Sequence, residues 1–415
     1  MLLLYRAMIW IVLMLGSPYL LIKALFGRHG IKERFGYIKN RESSGRLFWF
    51  HAASVGELKI ISSVLPAISD IDGAVEFAIS TTTITGRKRA TDLFGEKAYI
   101  FLQPLELKSS IIRVIDSLKP EKLIVVETEL WPLMLSIADD LGVSLYLVNA
   151  RMGEDSYKKY KLAKPLFAPV LKKFSRVLAQ TKADAERFRG LGAENAEVAG
   201  NLKYDQVLTN NVPNGPRLKV VGNGKFIFVA GSIRKGEDEI LADVISRALE
   251  SGLDMRFILV PRHMKEIADV ENVLNNRNIR YRLRSDMADN TIDLDSVLLV
   301  NTMGELRDFY SIADIAFVGG SLVPVGGHDP LEPAALGKPV IFGPYMENAR
   351  DAADILLESG GATQVMGKYD LFDILKESRL DRHLLEIKGE KCKKAILSMS
   401  GVSGKVARIL IGGKI

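Results

Sequence analysis

The stretch LFWFHAASVGELKIISSVLPAIS, residues 47–69, decides the fold. It opens with an apolar run that does not alternate, passes through small residues and Gly56, and continues with apolar positions at helical spacing. A strand apolar on both faces belongs in a parallel sheet covered by helices. The turn at HAASVG must be tight, and Gly56 allows close approach of backbone to a ligand there. The strand–turn–helix unit then recurs outward. In the first half the strand candidates are VEFAIS (75–80), AYIFLQ (98–103), KLIVVE (122–127), SLYLVN (144–149), RVLAQT (176–181) and AEVAGN (196–201). In the second half they are KFIFVAGS (225–232), MRFILVPR (255–262), IRYRLRS (279–285), SVLLVNT (296–302), IAFVGGS (315–321) and PVIFGP (339–344). The class is α/β, with two Rossmann-like parallel-sheet domains, and the ligand site is expected at the carboxyl ends of the strands.

A chain of 415 residues exceeds one comfortable core. The segment TNNVPNGPRLKVVGNG, 209–224, is dense in turn formers and reads as a linker. The organisation predicted is an apolar helix over 1–28, a first domain over 29–208, the linker, and a second domain over 225–415, with a cleft where the two domains face each other. Between Arg6 and Lys23 the chain carries no charge, and the basic residues Lys23, Arg28, Lys32, Arg34, Lys39 and Arg41 follow. Such a pair reads as a membrane-attaching helix, spanning or lying in the interface, with its basic flank on anionic cytoplasmic headgroups. Its blander alternative is a buried helix, since the run is near the lower limit for a span and Pro18 interrupts it.

The formal charge of +6 calls for an anionic partner. Aromatic residues are not interleaved with the basic clusters, so no nucleic acid is expected. The lone Cys392 excludes an intramolecular disulfide framework and a multi-cysteine zinc site. The chain has no phosphate loop of the G-x-x-x-x-G-K-[ST] type, no G-x-G-x-x-G after a first strand, no H-E-x-x-H and no G-x-S-x-G. No metal is expected.

Polar patches at strand ends remain. HAASVGE (51–57) places Ser54, Gly56 and Glu57 at a helix start, where a carboxylate serves either as a helix-dipole partner or as a general base. ETELWP (127–132) offers Glu127 and Glu129, and STTTITGRKRA (80–90) offers hydroxyls that cap a helix or, alternatively, Arg87, Lys88 and Arg89 to meet an anionic acceptor, with Ser54, Gly56 and Arg87 as the acceptor-side candidates. In the second half, AGSIRKGE (230–237) contains Ser232 and Arg234 at a turn whose backbone N–H groups can hold a phosphate. VPRH supplies Pro261, Arg262 and His263, and NTMGEL supplies Met303, Gly304 and Glu305. In GGSLVPVGGHDPLEP (319–333), Gly327 permits close contact, Asp329 reads as the N-cap with Pro330 at the first helical position, and Glu332 falls in the first turn. His328 receives no acid–base role.

These motifs in this order, FHAASVGE, STTTITG, ETELWP, NLKYD (201–205), AGSIRKGE, PRH, MGEL and GGHDPLEP, resemble the 3-deoxy-D-manno-octulosonic acid (Kdo) transferases. One departure is Asp329, where that family usually has Asn. The resemblance implies an inverting GT-B glycosyltransferase at the cytoplasmic face of the inner membrane. It implies transfer of Kdo from CMP-Kdo to a lipid A precursor (lipid IVA) in lipopolysaccharide biosynthesis, with no cofactor beyond the donor substrate. It makes the first domain acceptor-binding, with Glu57 as base and Glu127 or Glu129 essential beside it. The second domain then binds the CMP-sugar at Arg262, Gly304, Glu305, Asp329 and Glu332. Rival readings are a UDP-sugar transferase or epimerase and a non-catalytic membrane-bound sensor.

Overall fold

The computed structural model describes residues 30–209, 218–221, 225–287, 291–293 and 297–412, together with Met1, Leu4, Tyr5 and Ile9. The apolar helix expected over 1–28 lies almost wholly outside the described residues. Among those described, no helix is long and apolar enough to cross a membrane. The chain divides into two compact units, Met1–Gln206 with Ser400–Ile415, and Val207–Met399.

The first unit carries strands β1 Leu47–Ala52, β2 Glu76–Thr81, β3 Ala98–Leu102, β4 Lys122–Val126, β5 Ser144–Ala150, β6 Phe174–Ala179 and β7 Ala196–Val198. All pair in parallel in the order β3-β2-β1-β4-β5-β6-β7. Every residue of β1 is buried, and the reason is visible in its side chains. Leu47 and Trp49 pack with Ile111, Leu133 and Met134 on one face, while Phe48 and Phe50 pack with Leu58, Ile61 and Val64 on the other. Burying an apolar side chain of this size contributes about 1.5–3 kcal/mol, so neither face tolerates exposure. The helix Val55–Ile71 follows directly, N-capped by Ser54. Because β2 and β3 lie on one side of β1 and β4 on the other, chain order reverses between β1 and β4. In doubly wound sheets that reversal opens a crevice at the strand ends.

The second unit adds β8 Lys219–Val221, β9 Phe226–Ile233, β10 Met255–Pro261, β11 Tyr281–Leu283, β12 Thr291–Asp293, β13 Val297–Leu299, β14 Ile315–Val318, β15 Val340–Phe342 and β16 Ala362–Gln364. Its main sheet is also parallel, in the order β11-β13-β10-β9-β14-β15-β16, and β8 pairs only with β12. Chain order here reverses between β9 and β14. Phe228, Phe257 and Phe317 on one face pack with Leu241, Ile245 and Leu274, whereas Val229, Ile258 and Ala316 on the other pack with Phe309 and Tyr310.

Two sequence boundaries move. Part of the linker expected over 209–224 is strand β8, and 210–217 and 222–224 lie outside the described residues. The last helix, Val402–Ile411, belongs to the first unit instead of the second. Its Val402, Val406, Ala407 and Leu410 complete the apolar cluster around Phe50 and Leu58. Asp205 of the NLKYD motif caps it, accepting from the backbone N–H of Gly401 at 2.6 Å and from that of Ser403. Gly200 allows the approach, because a Cβ there would lie 2.7 Å from Val402 Cγ2. An apolar helix read alone does not say which core it joins.

Candidate functional site

At the reversal point of the first unit, Glu57 stands in the first turn of the helix after β1 and is only 6% exposed. Its Oε2 accepts from the Ala53 N–H at 2.7 Å and its Oε1 from the Ser54 hydroxyl at 2.7 Å. Ser54 Oγ in turn accepts from the Glu57 N–H at 3.2 Å, the N-cap bond of the helix. Burial raises the carboxyl to about 7. The two hydrogen bonds oppose that rise, and the charges of Glu127 and Glu129 add to it. A carboxyl in this range still exists as carboxylate near neutrality and is a far better proton acceptor than an exposed glutamate.

The loop after β4, next to β1 in the sheet, brings Glu127 and Glu129 to the same end. Glu127 sits in the left-handed region at φ 60, a conformation costing a non-glycine residue on the order of 1 kcal/mol. Its N–H is held by Val148 O at 3.0 Å. Glu129 accepts from Trp131 Nε1 at 3.1 Å, and burial pushes its carboxyl upward. The helix Pro132–Asp140 behind this loop has no cap of its own at Trp131. Buried Glu106 supplies it from a distant loop, accepting from the N–H groups of Leu133 at 2.9 Å and Met134 at 2.7 Å. Tyr5 OH also donates to Glu106, at 3.0 Å. Sequence reasoning missed Glu106, because its partners lie 27 and 28 positions away.

Thr83 caps the helix Ile84–Phe94 as expected, accepting from the Gly86 N–H. Arg87, expected to meet acceptor, has an internal partner instead: its Nη1 lies 2.5 Å from Glu33 Oε1. The other Glu33 oxygen holds the Leu102 N–H at 3.0 Å, so the pair ties segment 30–35 to the sheet. His51 is fully buried, its Nδ1 2.9 Å from Ser80 Oγ, and burial lowers it to about 4. Ser80 Oγ also accepts from Trp49 Nε1 at 2.8 Å, which leaves its proton for His51. That imidazole is neutral, and its role is to join β1 to β2.

In the second unit the loops after β9, β10 and β14 converge. Ser232, the residue before the end of β9, stands at φ 57, and the Arg262 N–H donates to Ile233 O at 3.0 Å. Arg234 Nη1 lies 3.0 Å from His263 Nε2, and Arg234 Nε lies 3.7 Å from Glu266 Oε1. Pro261 ends β10 and turns the chain toward them. Arg262 is exposed, with no ion pair among the described residues. His328 is lowered to about 4, first by burial and then by the charges of Arg262, Arg234 and His263. It is therefore neutral, and the arginines supply the positive field. Gly320, at φ 70, makes room for His328, since a Cβ there would lie 3.0 Å from the ring. Gly327, at φ 75, leaves similarly little space beside Met346.

Other expected residues sit differently. Asp329 Oδ1 accepts from the Leu331 N–H at 2.9 Å, so Pro330 is the N-cap and the helix runs Leu331–Ala335. The helix therefore begins one residue later than the sequence suggested. Glu332 lies within electrostatic reach of Arg307 and of buried Tyr310. Glu305 is held by Arg284, whose Nη2 is 2.9 Å from Oε1, and by the Thr302 hydroxyl on Oε2. Beside it Met303 is 82% exposed and Gly304 stands at φ 89 with open space around it. The phosphate-binding turn expected at AGSIRKGE is filled by the protein's own carboxylates. Arg234 N–H donates to Glu237 at 2.9 Å and Gly236 N–H to Asp238 at 2.7 Å. A first turn containing Glu237, Asp238 and Glu239 disfavours a phosphate, and the positive charge at this end of the sheet is carried by Arg234 and Arg262.

Comparison with known proteins bears on the fold and the family. The family model described as 3-deoxy-D-manno-octulosonic-acid transferase (kdotransferase) matches residues 29–206. A bifunctional glycosyltransferase/methyltransferase of Fusobacterium nucleatum is 35% identical over 362 residues, 85% of this chain, and the chain spans 55% of that protein's length. Among solved structures, MurG of Acinetobacter baumannii is similar with a TM-score of 0.53 and 13% identity, covering 88% of this chain and 99% of that one. That likeness shows the two-domain GT-B fold. A 3-deoxy-D-manno-octulosonic acid transferase of Rickettsia bellii is 30% identical over 377 residues, 90% of each chain. Similarity along nine tenths of both chains extends past the first unit, and the chain belongs to the 3-deoxy-D-manno-octulosonic acid transferase family.

Proposed function

We propose that the protein transfers Kdo from CMP-Kdo to a hydroxyl of a lipid A precursor, with inversion, using Glu57 as general base. The observation that carries this reading is the buried Glu57 carboxyl, raised to about 7 and flanked by Glu127 and Glu129. In the step, the acceptor hydroxyl oxygen forms a bond to the anomeric carbon of Kdo as the bond from that carbon to the phosphate oxygen breaks. The proton passes to Glu57, and CMP leaves with the bonding electron pair. The donor carries a phosphodiester and a sugar carboxylate, and the exposed Arg262 with Arg234, which His263 holds through its Nε2, forms a cationic pair suited to both. No cofactor takes part.

The acceptor is a phosphorylated lipid, for which the apolar run before Lys23 and the basic residues after it form a fitting membrane anchor. Residence at the cytoplasmic face of the inner membrane follows from the same pairing, and lipopolysaccharide assembly is the process served. The test incubates the full chain with freshly generated CMP-Kdo and tetraacylated lipid A precursor and reads lipid mass. A gain of Kdo is expected, with inhibition by CMP and none by UDP. Inhibition by UDP alone, or near-normal transfer by a folded, CMP-binding Glu57→Gln variant, overturns the reading.

A further inference from the structure

Glu237 has a burial and bonding pattern that the donor reading does not use. It is 0% exposed, and its carboxylate accepts four backbone N–H groups from two loops. Oε2 takes Arg234 at 2.9 Å and Gly320 at 2.7 Å, and Oε1 takes Ser321 at 2.9 Å and Leu322 at 2.9 Å. Two donors on each oxygen leave no acceptor for a carboxylic proton, so the bonding geometry is that of a carboxylate enclosed by its own protein. Burial pushes the carboxyl upward, and the four backbone bonds oppose that rise.

The two loops lie at the reversal point of the sheet, after β9 and after β14. A third follows β15 and joins through Ser321, whose hydroxyl donates to Val318 O at 2.5 Å and accepts from the Gly343 N–H at 2.8 Å. Packing there is close: a Cβ on Gly319 would lie 2.5 Å from Ser232 O, and one on Gly343 2.1 Å from Ser321 O. Gly320 O accepts from the Gly327 N–H at 2.7 Å, and Gly319 O from the His328 N–H at 3.0 Å. The backbone that carries Arg234 and the backbone that carries His328 are therefore fixed to one carboxylate.

We propose that Glu237 is the positioning residue of the second unit: it fills a nest of backbone donors, sets the loops after β9 and β14, and so aims the cations that meet the donor. A surface nest of this kind would bind a phosphate; here the protein closes it. Phosphate recognition is thereby left to side chains that can move with the donor. The part concerning the loops stands alone, and the part concerning the donor rests on the function proposed above.

Amide hydrogen exchange on the full chain tests the first part. The amides of Arg234, Gly320, Ser321 and Leu322 are expected to be protected in the unaltered protein although they lie outside the strands; fast exchange there overturns the proposal without any variant. Glu237→Gln keeps the volume, removes the charge and turns a donor toward donors. It is expected to speed exchange at these amides by about tenfold or more while leaving Ala53 and Glu57 unchanged. Glu237→Asp, which keeps the charge, is expected to fall between. Titration with CMP tests the second part, with a Kd raised about tenfold or more in Glu237→Gln and acceptor KM unaltered. Unchanged exchange, or CMP binding as tight as before or tighter, overturns the positioning role. Failure of the unaltered protein to bind CMP counts against the donor reading, and the exchange arm then decides the proposal.

Discussion

Glu57 and Glu237 occupy the same topological place in their two units: the first turn of the helix that follows the strand where chain order reverses. Both are buried. They differ in what accompanies the burial. Glu57 accepts two hydrogen bonds from its own turn and faces two other carboxylates, so its ionised form is under-supported and its carboxyl rises to about 7. Glu237 is also raised by burial, but four N–H groups from two loops oppose that rise and no other carboxylate adds to it. One fold position thus yields a carboxylate ready to take a proton and a carboxylate that organises its surroundings. Burial alone does not make a base; burial with unsatisfied acceptor capacity does.

The comparison breaks first on activity. Removing a general base lowers the rate by about a hundredfold to ten-thousandfold, so Glu57→Gln is expected to lower kcat by that order while CMP binding stays within about twofold. In the unaltered enzyme, kcat/KM is expected to rise with pH through about 7, where Glu57 becomes ionised, and the residual activity of the variant to lack that limb. Should the variant keep the limb, another group is the base.

Stability sharpens the contrast, because the two glutamates predict opposite signs. Glu237→Gln leaves N–H donors facing an amide nitrogen, and urea unfolding at pH 7 is expected to show a loss of about 3 kcal/mol. For Glu57 the folded value of about 7 lies above the ordinary 4.5. A raised acid contributes stability below 4.5 and loses it as pH rises to 7. Glu57→Gln does not titrate, so its stability relative to the unaltered protein is expected to grow across that window, by up to about 3 kcal/mol at one pH unit per 1.4 kcal/mol. A flat difference between pH 4.5 and 8 would remove the burial argument for Glu57.

Glu106 extends the comparison to a third buried carboxylate, one that supports the loop beside Glu57. Glu106→Gln keeps one acceptor for the Leu133 and Met134 amides and sets a donor against the other. Loss of about 1–2 kcal/mol is expected, together with a fall in kcat through displacement of Glu127 and Glu129, while CMP binding stays constant. Equal losses in kcat and CMP affinity would point to general unfolding instead.

Much of this was legible in the chain, for identifiable reasons. The long aliphatic strands, such as LFWFHA and KLIVVE, are buried on both faces and announce themselves. Glu57 was legible because it opens a helix directly after an apolar strand and a small-residue turn, within the ordered motifs. β16 was not, since ATQ carries no apolar run. Glu106 and the ties of Glu237 to Gly320, Ser321 and Leu322 escaped because hydrogen bonds spanning 27 to 85 positions leave no local pattern. The carboxylates inside the AGSIRKGE turn escaped for a related reason: sequence shows that N–H groups exist at a helix start but not that Glu237 and Asp238 already accept from two of them.

Ser54 gives the smallest and most selective test. Its oxygen caps the helix by accepting from the Glu57 N–H, and its hydroxyl donates to Glu57 Oε1. Ser54→Ala removes both. Loss of the cap is expected to lower stability by about 1 kcal/mol. Loss of the donated bond withdraws one of the two contacts that favour the carboxylate, so the Glu57 carboxyl moves further above 7. The ascending limb of kcat/KM should therefore shift to higher pH, with the plateau little changed once Glu57 is ionised. Glu237 has no serine in that relation, and no single hydroxyl deletion nearby should move a pH profile. A limb that stays in place in Ser54→Ala would mean that Ser54 sets the helix but not the proton affinity of its glutamate.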